Sequence, residues 1–254
     1  MRDILHFPKP GAPGVTTQPT TIPLEAPLGS FPGAELPALL DRPAGQARFA
    51  VLLAHGAGAP MDHPFLERVA GDLAQAGGIV LRFDYPYMAA RRAGANRRPP
   101  DRAPVLLAAH AAAIDAARKQ AGSLPLFLAG KSLGSRIAAM SLAGEGTQPA
   151  RELAGLVAFG YPLHPAGKPD QLRDGFFGNL EAPCLFVQGT RDALCTRELL
   201  ELSIERLPGP KVVHWTEDGD HSLEVRKSSG RTSEEALAEA DAAVVAWIEQ
   251  QIGT

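Results

Sequence analysis

A nucleophile, an acid and a base follow one another along the chain: Ser132 in Gly130-Lys131-Ser132-Leu133-Gly134, Asp192 in Gly189-Thr190-Arg191-Asp192, and His221 in Asp218-Gly219-Asp220-His221. A serine hydroxyl is a weak nucleophile at neutral pH. It attacks an acyl carbon when an imidazole takes its proton and a buried carboxylate holds that imidazole in the right tautomer. Small residues on both sides of Ser132 permit a sharp strand-to-helix turn that pushes the hydroxyl outward. Glycines around a serine also mark ordinary loops, so this segment alone leaves a tight turn and a nucleophile both open.

Asp218 and Asp220 compete with Asp192 for the acid role. Both lie so near His221 in sequence that a turn directs their side chains away from its ring, and Asp192 is preferred. An attacked carbonyl also needs donors for its developing oxyanion. The loop His55-Gly56-Ala57-Gly58-Ala59 is small enough to aim backbone N–H groups at Ser132, and the N–H groups of Ala57 and Leu133 are the expected pair. Lys131 is expected to point away from the site. His110 and His214 read as packed residues of a helix and a strand, whereas His55, His63 and His164 follow strands and are candidates for site lining. No His-Glu-x-x-His or paired-cysteine spacing occurs, so neither a metal nor another cofactor is expected.

Those residues need a scaffold that brings distant segments together. The runs FAVLLAH, GIVLRFDY, LPLFLAG, GLVAFGY, APCLFVQG and KVVHWTE read as buried strands. Between them stand helical patterns: HPFLERVAGDLAQAG, APVLLAAHAAAIDAARKQAG, GSRIAAMSLAGEG, TRELLELSIERL and TSEEALAEADAAVVAWIEQQI. The last opens on a capping box, Thr232 with Glu235. Such alternation predicts an α/β fold, a doubly wound, mostly parallel sheet of about eight strands with helices on both faces. Functional groups then collect at the carboxyl ends of the strands, where Ser132, Asp192 and His221 all fall. Residues 1–18, rich in Pro and Gly, read as an irregular arm, and 19–254 as a single domain. Within it TTIPLEA and AELPALLD are expected to pair as a hairpin, with Pro23 and Pro37 confining both to edge positions.

The formal net charge of −3 disfavours a nucleic-acid partner, which needs a large basic surface. With only Cys184 and Cys195, no signal-peptide pattern and no long apolar run, a cytoplasmic protein without a membrane partner is expected. The arginines 91, 92, 97, 98 and 102 form either a solvated face or a rim that favours an anionic substrate.

Together LLAHGAGAPMDHPFL, LRFDYPYM, GKSLGSR, FGYPLHP, FVQGTRDAL and DGDHSLEV resemble the α/β-hydrolase superfamily, and within it the small capless group called dienelactone-hydrolase-like or testis-expressed-30-like. The resemblance implies an α/β-hydrolase fold with Ser132 as nucleophile, Asp192 as acid and His221 as base. Dienelactone hydrolases of this fold use a cysteine nucleophile, and neither cysteine here stands in the elbow. The segment between LVAFG and CLFVQG is too short for a helical cap, which predicts an open pocket walled by His55, Met61, His63, Phe65, Tyr85, Tyr87 and Tyr161. The function expected is a serine hydrolase acting on a small-molecule ester, thioester or related acyl compound. The alternative is a non-catalytic scaffold of the same fold that binds partners.

Overall fold

The computed structural model describes residues 14–145 and 152–253. One eight-stranded sheet runs in the order β1-β2-β4-β3-β5-β6-β7-β8. Its strands are β1 (Val15–Pro23), β2 (Glu35–Pro43), β3 (Phe49–Ala54), β4 (Gly78–Phe83), β5 (Leu126–Lys131), β6 (Gly155–Phe159), β7 (Cys184–Gly189) and β8 (Lys211–Thr216). From β4 to β8 all pairings are parallel, while β1–β2 and β2–β4 are antiparallel.

Period-two alternation divides the core between the two faces. In β3, Phe49, Val51 and Leu53 join the cluster under α1 (Pro64–Gln75) and α6 (Ser233–Gln251), whereas Ala50, Leu52 and Ala54 join the opposite cluster. That second face packs under α2 (Pro86–Arg92), α3 (Ala103–Ala121), α4 (Leu133–Leu142) and α5 (Arg197–Ile204). Thr232 and Glu235 make the expected capping box on α6.

Three expectations need correcting. KVVHWTE is not a buried strand: β8 is the sheet edge, covered by a neighbour on one side only, and Lys211 and Val212 are exposed. The hairpin pair exists, but β2 lies inside the sheet between β1 and β4, so Pro37 is not on an edge strand. Its missing N–H is tolerated because the β2–β4 ladder begins only at Ala38, and the Pro37 carbonyl accepts from Asp84 N–H at 3.1 Å just beyond it. The irregular arm falls on residues outside the described ones as far as 13, while Val15 already opens β1. Between β6 and β7 stands only a connection with one short 3₁₀ turn, Phe177–Asn179, and no cap.

Chain order reverses at β3: β4 lies on one side of it and β5 on the other. In a parallel sheet that reversal opens a crevice above the carboxyl ends, and it is here that β5 ends on Lys131.

Candidate active site

Ser132 sits between β5 and α4 with φ 53° and ψ −114°, a strained backbone for a residue with a Cβ. The glycines on either side make this turn possible. A Cβ on Gly130 would overlap the Gly134 carbonyl carbon, and one on Gly134 would overlap the Ala54 carbonyl oxygen of β3. The serine N–H donates to the Phe159 carbonyl at 2.9 Å, fastening the turn to the end of β6.

His221 has to come from much farther away. β8, the strand before it, is the sheet edge, three strand spacings or about 14 Å from β5. The loop after β8 covers that distance by running back over the ends of β7 and β6. Gly189 leaves room for the Gly219 and Asp220 carbonyls, and the Arg191 N–H donates to the Gly219 carbonyl at 2.8 Å. At the end of β6, Gly160 leaves room for His221 itself. Asp220 is absorbed in the loop, its Oδ1 accepting from the N–H groups of Ser222 at 2.7 Å and Glu224 at 3.0 Å, and Asp218 pairs with Arg226 and Arg191. Neither competing carboxylate contacts the imidazole.

Asp192 does. His221 Nδ1 lies 2.7 Å from Asp192 Oδ2, and Nε2 lies 2.8 Å from Ser132 Oγ. The Asp192 carboxylate has no exposed surface and is held by two further donors, the Leu194 N–H at 2.8 Å and Gln188 Nε2 at 2.6 Å. Carboxylate oxygens are acceptors only, so Nδ1 carries a proton and Nε2 is free to accept one from the serine. The His221 side chain keeps 30% of its surface exposed, so the arrangement opens to solvent on one side.

Three contributors escaped the sequence reading. Gln188 is fully buried in β7 and ties the acid to the residues after β6, its Nε2 donating to Asp192 Oδ2 while its Oε1 accepts from the Tyr161 N–H at 2.8 Å. A glutamine within an otherwise apolar strand was the available signal. Gly160, at φ 55°, was hidden in an ordinary-looking FGYP turn. Lys131 does not point away as expected. Its ammonium donates to the His221 carbonyl, lies 5.8 Å from the Phe65 ring centre, and is pushed down to about 8 by burial against the opposing pull of Asp192 and Asp220.

Opposite the serine, the loop after β3 is braced from within. The Tyr87 hydroxyl donates to the Ala57 carbonyl at 3.1 Å and the Gly56 carbonyl at 3.3 Å. His55 is fully buried. Its Nε2 accepts from the Tyr85 N–H at 3.0 Å, which assigns the ring proton to Nδ1 and to its 2.6 Å contact with the Gly56 carbonyl. Burial lowers the His55 pKa, in keeping with a neutral ring. Asp84 accepts from the Met61 N–H at 2.9 Å and from Arg92 Nε at 2.6 Å, while Arg92 also grips Asp62. Leu133 is the first residue of α4, where backbone N–H groups have no intrahelical acceptor.

This geometry corrects most of the expected pocket wall. His55, Tyr85 and Tyr161 have no accessible surface, and Met61 and Tyr87 almost none, because each faces the core beneath the site rather than its mouth. The Tyr161 hydroxyl is spent on the Arg173 carbonyl at 2.7 Å. His63 is exposed but caps α1, accepting from the Phe65 N–H at 3.3 Å, and half-buried Phe65 stacks edge-on against Phe159. Arg92, held by two carboxylates, is withdrawn from any anion-binding rim. His164 is buried with Nδ1 against the Pro165 carbonyl, His110 lies in the core, and His214 is half-buried in β8. Burial pushes the Cys184 thiol up to about 12 and that of Cys195 upward as well, so both stay protonated and unreactive at neutral pH. Among the described residues no group of His, Cys, Asp and Glu is placed to hold a metal ion, and no helix is long and apolar enough to cross a membrane.

Solved structures of the same architecture exist. A dienelactone hydrolase from Anabaena variabilis superposes with a TM-score of 0.69 over 93% of this chain and 98% of its own, at 20% identity. Est1E from Butyrivibrio proteoclasticus, solved with ferulic acid, gives 0.70 over 92% and 100% at 15% identity. The esterase domain of a Rhodothermus marinus protein gives 0.65 over 94% and 100% at 19% identity. At such identities the likeness speaks for the fold. Residues 47–249 match the family described as alpha/beta hydrolase domain, a stretch that runs from before β3 to the last turns of α6 and contains Ser132, Asp192 and His221. The chain is therefore a member of the alpha/beta hydrolase family.

Proposed function

We propose that the protein is a serine hydrolase that cleaves a small carboxylic ester or thioester through an acyl-enzyme. The observation that carries this reading is the unbroken line from Ser132 Oγ through His221 to the buried Asp192 carboxylate, built on a strained serine. A body kept only for protein contacts has no use for that strain or for a loop drawn over the ends of two strands to deliver an imidazole.

In this mechanism Ser132 Oγ attacks the acyl carbon as its proton passes to His221 Nε2. The imidazolium so formed is stabilised by Asp192, which keeps its negative charge while Gln188 and the Leu194 N–H hold it still. The tetrahedral oxyanion accepts from the backbone N–H groups of Leu133 and Ala57. Each such donor is worth about 2.7 to 4 kcal/mol of transition-state stabilisation. Collapse of the intermediate breaks the bond to the leaving group, which takes the proton from Nε2. Water then enters from the open side of His221, gives a proton to the same nitrogen as its oxygen adds to the acyl carbon, and collapse breaks the bond to Oγ, which takes that proton back as the acid leaves.

Short-chain 4-nitrophenyl esters test this directly. Rapid mixing is expected to show a burst of nitrophenol equal to the enzyme concentration, lost in Ser132→Ala. Slow hydrolysis that Ser132→Ala leaves unchanged would overturn it.

A further inference from the structure

Arg136 and Arg173 carry charge that no carboxylate among the described residues takes up. Arg136 lies one turn into α4, its N–H donating to the Ser132 carbonyl at 3.1 Å. Helical residues four apart share a face, and each Cα–Cβ bond leans toward the N-terminus, so Arg136 reaches back along the side of α4 that begins at Ser132. Its Nε is buried and has no hydrogen-bond partner among the described residues.

Arg173 approaches from the β6–β7 connection. Its N–H donates to the Leu163 carbonyl at 2.7 Å, its carbonyl accepts from the Tyr161 hydroxyl at 2.7 Å, and its guanidinium makes a long 3.5 Å contact to the Pro162 carbonyl. Those three residues directly follow the strand whose last carbonyl, at Phe159, holds the Ser132 N–H. Burial, and after it the charge of Arg136, holds Arg173 below the ordinary arginine value, so the two guanidinium groups act on each other. Nearby acids are already engaged. Asp174 pairs with Arg206 and accepts from Ser203 at 2.7 Å, and Asp192 is occupied by His221, Gln188 and Leu194.

Neighbouring like charges and a buried donor without an acceptor both raise the free energy of the protein. An oxyanion seated between the two groups removes both costs. We infer that Arg136 and Arg173 form a subsite for a carboxylate or phosphate carried by the substrate, making the enzyme selective for negatively charged esters. Carboxylate and phosphate are the groups whose oxygens match a guanidinium fork. The selectivity rests on the proposal that Ser132 is the nucleophile, and the subsite is separate from the arginine run at 91–102, whose Arg92 is closed off by Asp84 and Asp62.

The test compares 4-nitrophenyl hemisuccinate with its neutral methyl ester at constant ionic strength. Wild-type enzyme is expected to favour the anionic ester in kcat/KM. Arg136→Gln and Arg173→Gln are each expected to lower that value about 10- to 100-fold for the anionic ester and to change the neutral one less than about 3-fold. Equal loss on both esters, or no charge preference in an active wild type, would overturn the subsite. Binding is read separately on wild-type protein. Malonate or inorganic phosphate should raise its melting temperature where malonamide does not, and the ion that raises it more identifies the preferred group. A shift by either ion that disappears in the arginine variants, in a protein that hydrolyses no ester, would leave the subsite standing and sink the hydrolase reading. Absence of a shift with both ions would count against the subsite even if esters are cleaved.

Discussion

Gly160 and His221 are packed so closely that no side chain fits between them. A Cβ on Gly160 would lie 2.8 Å from the His221 carbonyl oxygen, 3.5 Å from its Cε1 and 2.7 Å from the Lys131 ammonium, at a backbone φ of 55°. This contact sets the height of the imidazole above the sheet. Gly160→Ala is therefore expected to displace His221 and to lower kcat by about 100-fold, the loss associated with a misplacement of about 1 Å. Steady-state kinetics beside circular dichroism checks this. A folded variant with unchanged kcat would show that the loop finds its place without that contact.

The acid acts through the tautomer it enforces. Asp192→Asn keeps the size of the side chain but offers an amide that can donate, and the imidazole then turns its proton toward Ser132. A fall in kcat of about 10⁴ is expected, with folding stability little changed. Kinetics over a pH series measures it, and a loss of less than about tenfold would remove Asp192 from the role.

Arg82 and Asp41 form an ion pair in which both side chains are 2% exposed, joined by two hydrogen bonds of 2.8 and 2.9 Å. Arg82 also donates to the Met61 carbonyl at 3.0 Å, so the pair steadies the loop beyond β3. Arg82→Met strands a buried carboxylate and is expected to cost about 3 to 5 kcal/mol of stability. Adding Asp41→Leu should recover most of that loss. Denaturant unfolding of the single and double variants decides the point, and additive losses would contradict it.

Acid should destabilise the fold through His110. Burial pushes its pKa down to about 3, while Nδ1 contacts Ser141 Oγ at 2.9 Å. The unfolded chain takes up a proton near the ordinary histidine value, about 6.5, that the folded chain refuses. Stability from this group is complete above that pH and is lost as pH falls from about 6.5 toward 3, by up to about 1.4 kcal/mol per pH unit. Buried His55, lowered in the same direction, adds to the slope. His110→Leu is expected to flatten the dependence of unfolding free energy on pH by about one proton. Parallel curves for wild type and variant would refute the assignment.

Much of this architecture was readable because β3 to β7 are short apolar runs closed by turn residues, buried on both faces. The structure brings Ser132, Asp192 and His221 together, and each was legible as a candidate because it follows a strand. α2 was not found. It is one short helix opened by Pro86 directly after β4, and its basic end merged with the arginine run that follows. Sequence position also places a residue near the carboxyl edge without saying which way it points. His55, Tyr85 and Tyr161 turn into the core and Lys131 turns under the histidine, because the demands of buried polar groups from other strands decide the direction.

The central claim is that Ser132 is an activated nucleophile, and covalent labelling tests it most directly. Purified protein would be treated with a fluorophosphonate probe and the modified peptide located by mass spectrometry, with Ser132→Ala and His221→Ala as controls. The geometry predicts one probe per chain on Ser132 and a rate of labelling that falls at least about 100-fold in His221→Ala. Folded wild-type protein that takes up no probe, or takes it up at Ser132 equally fast without His221, would contradict the account.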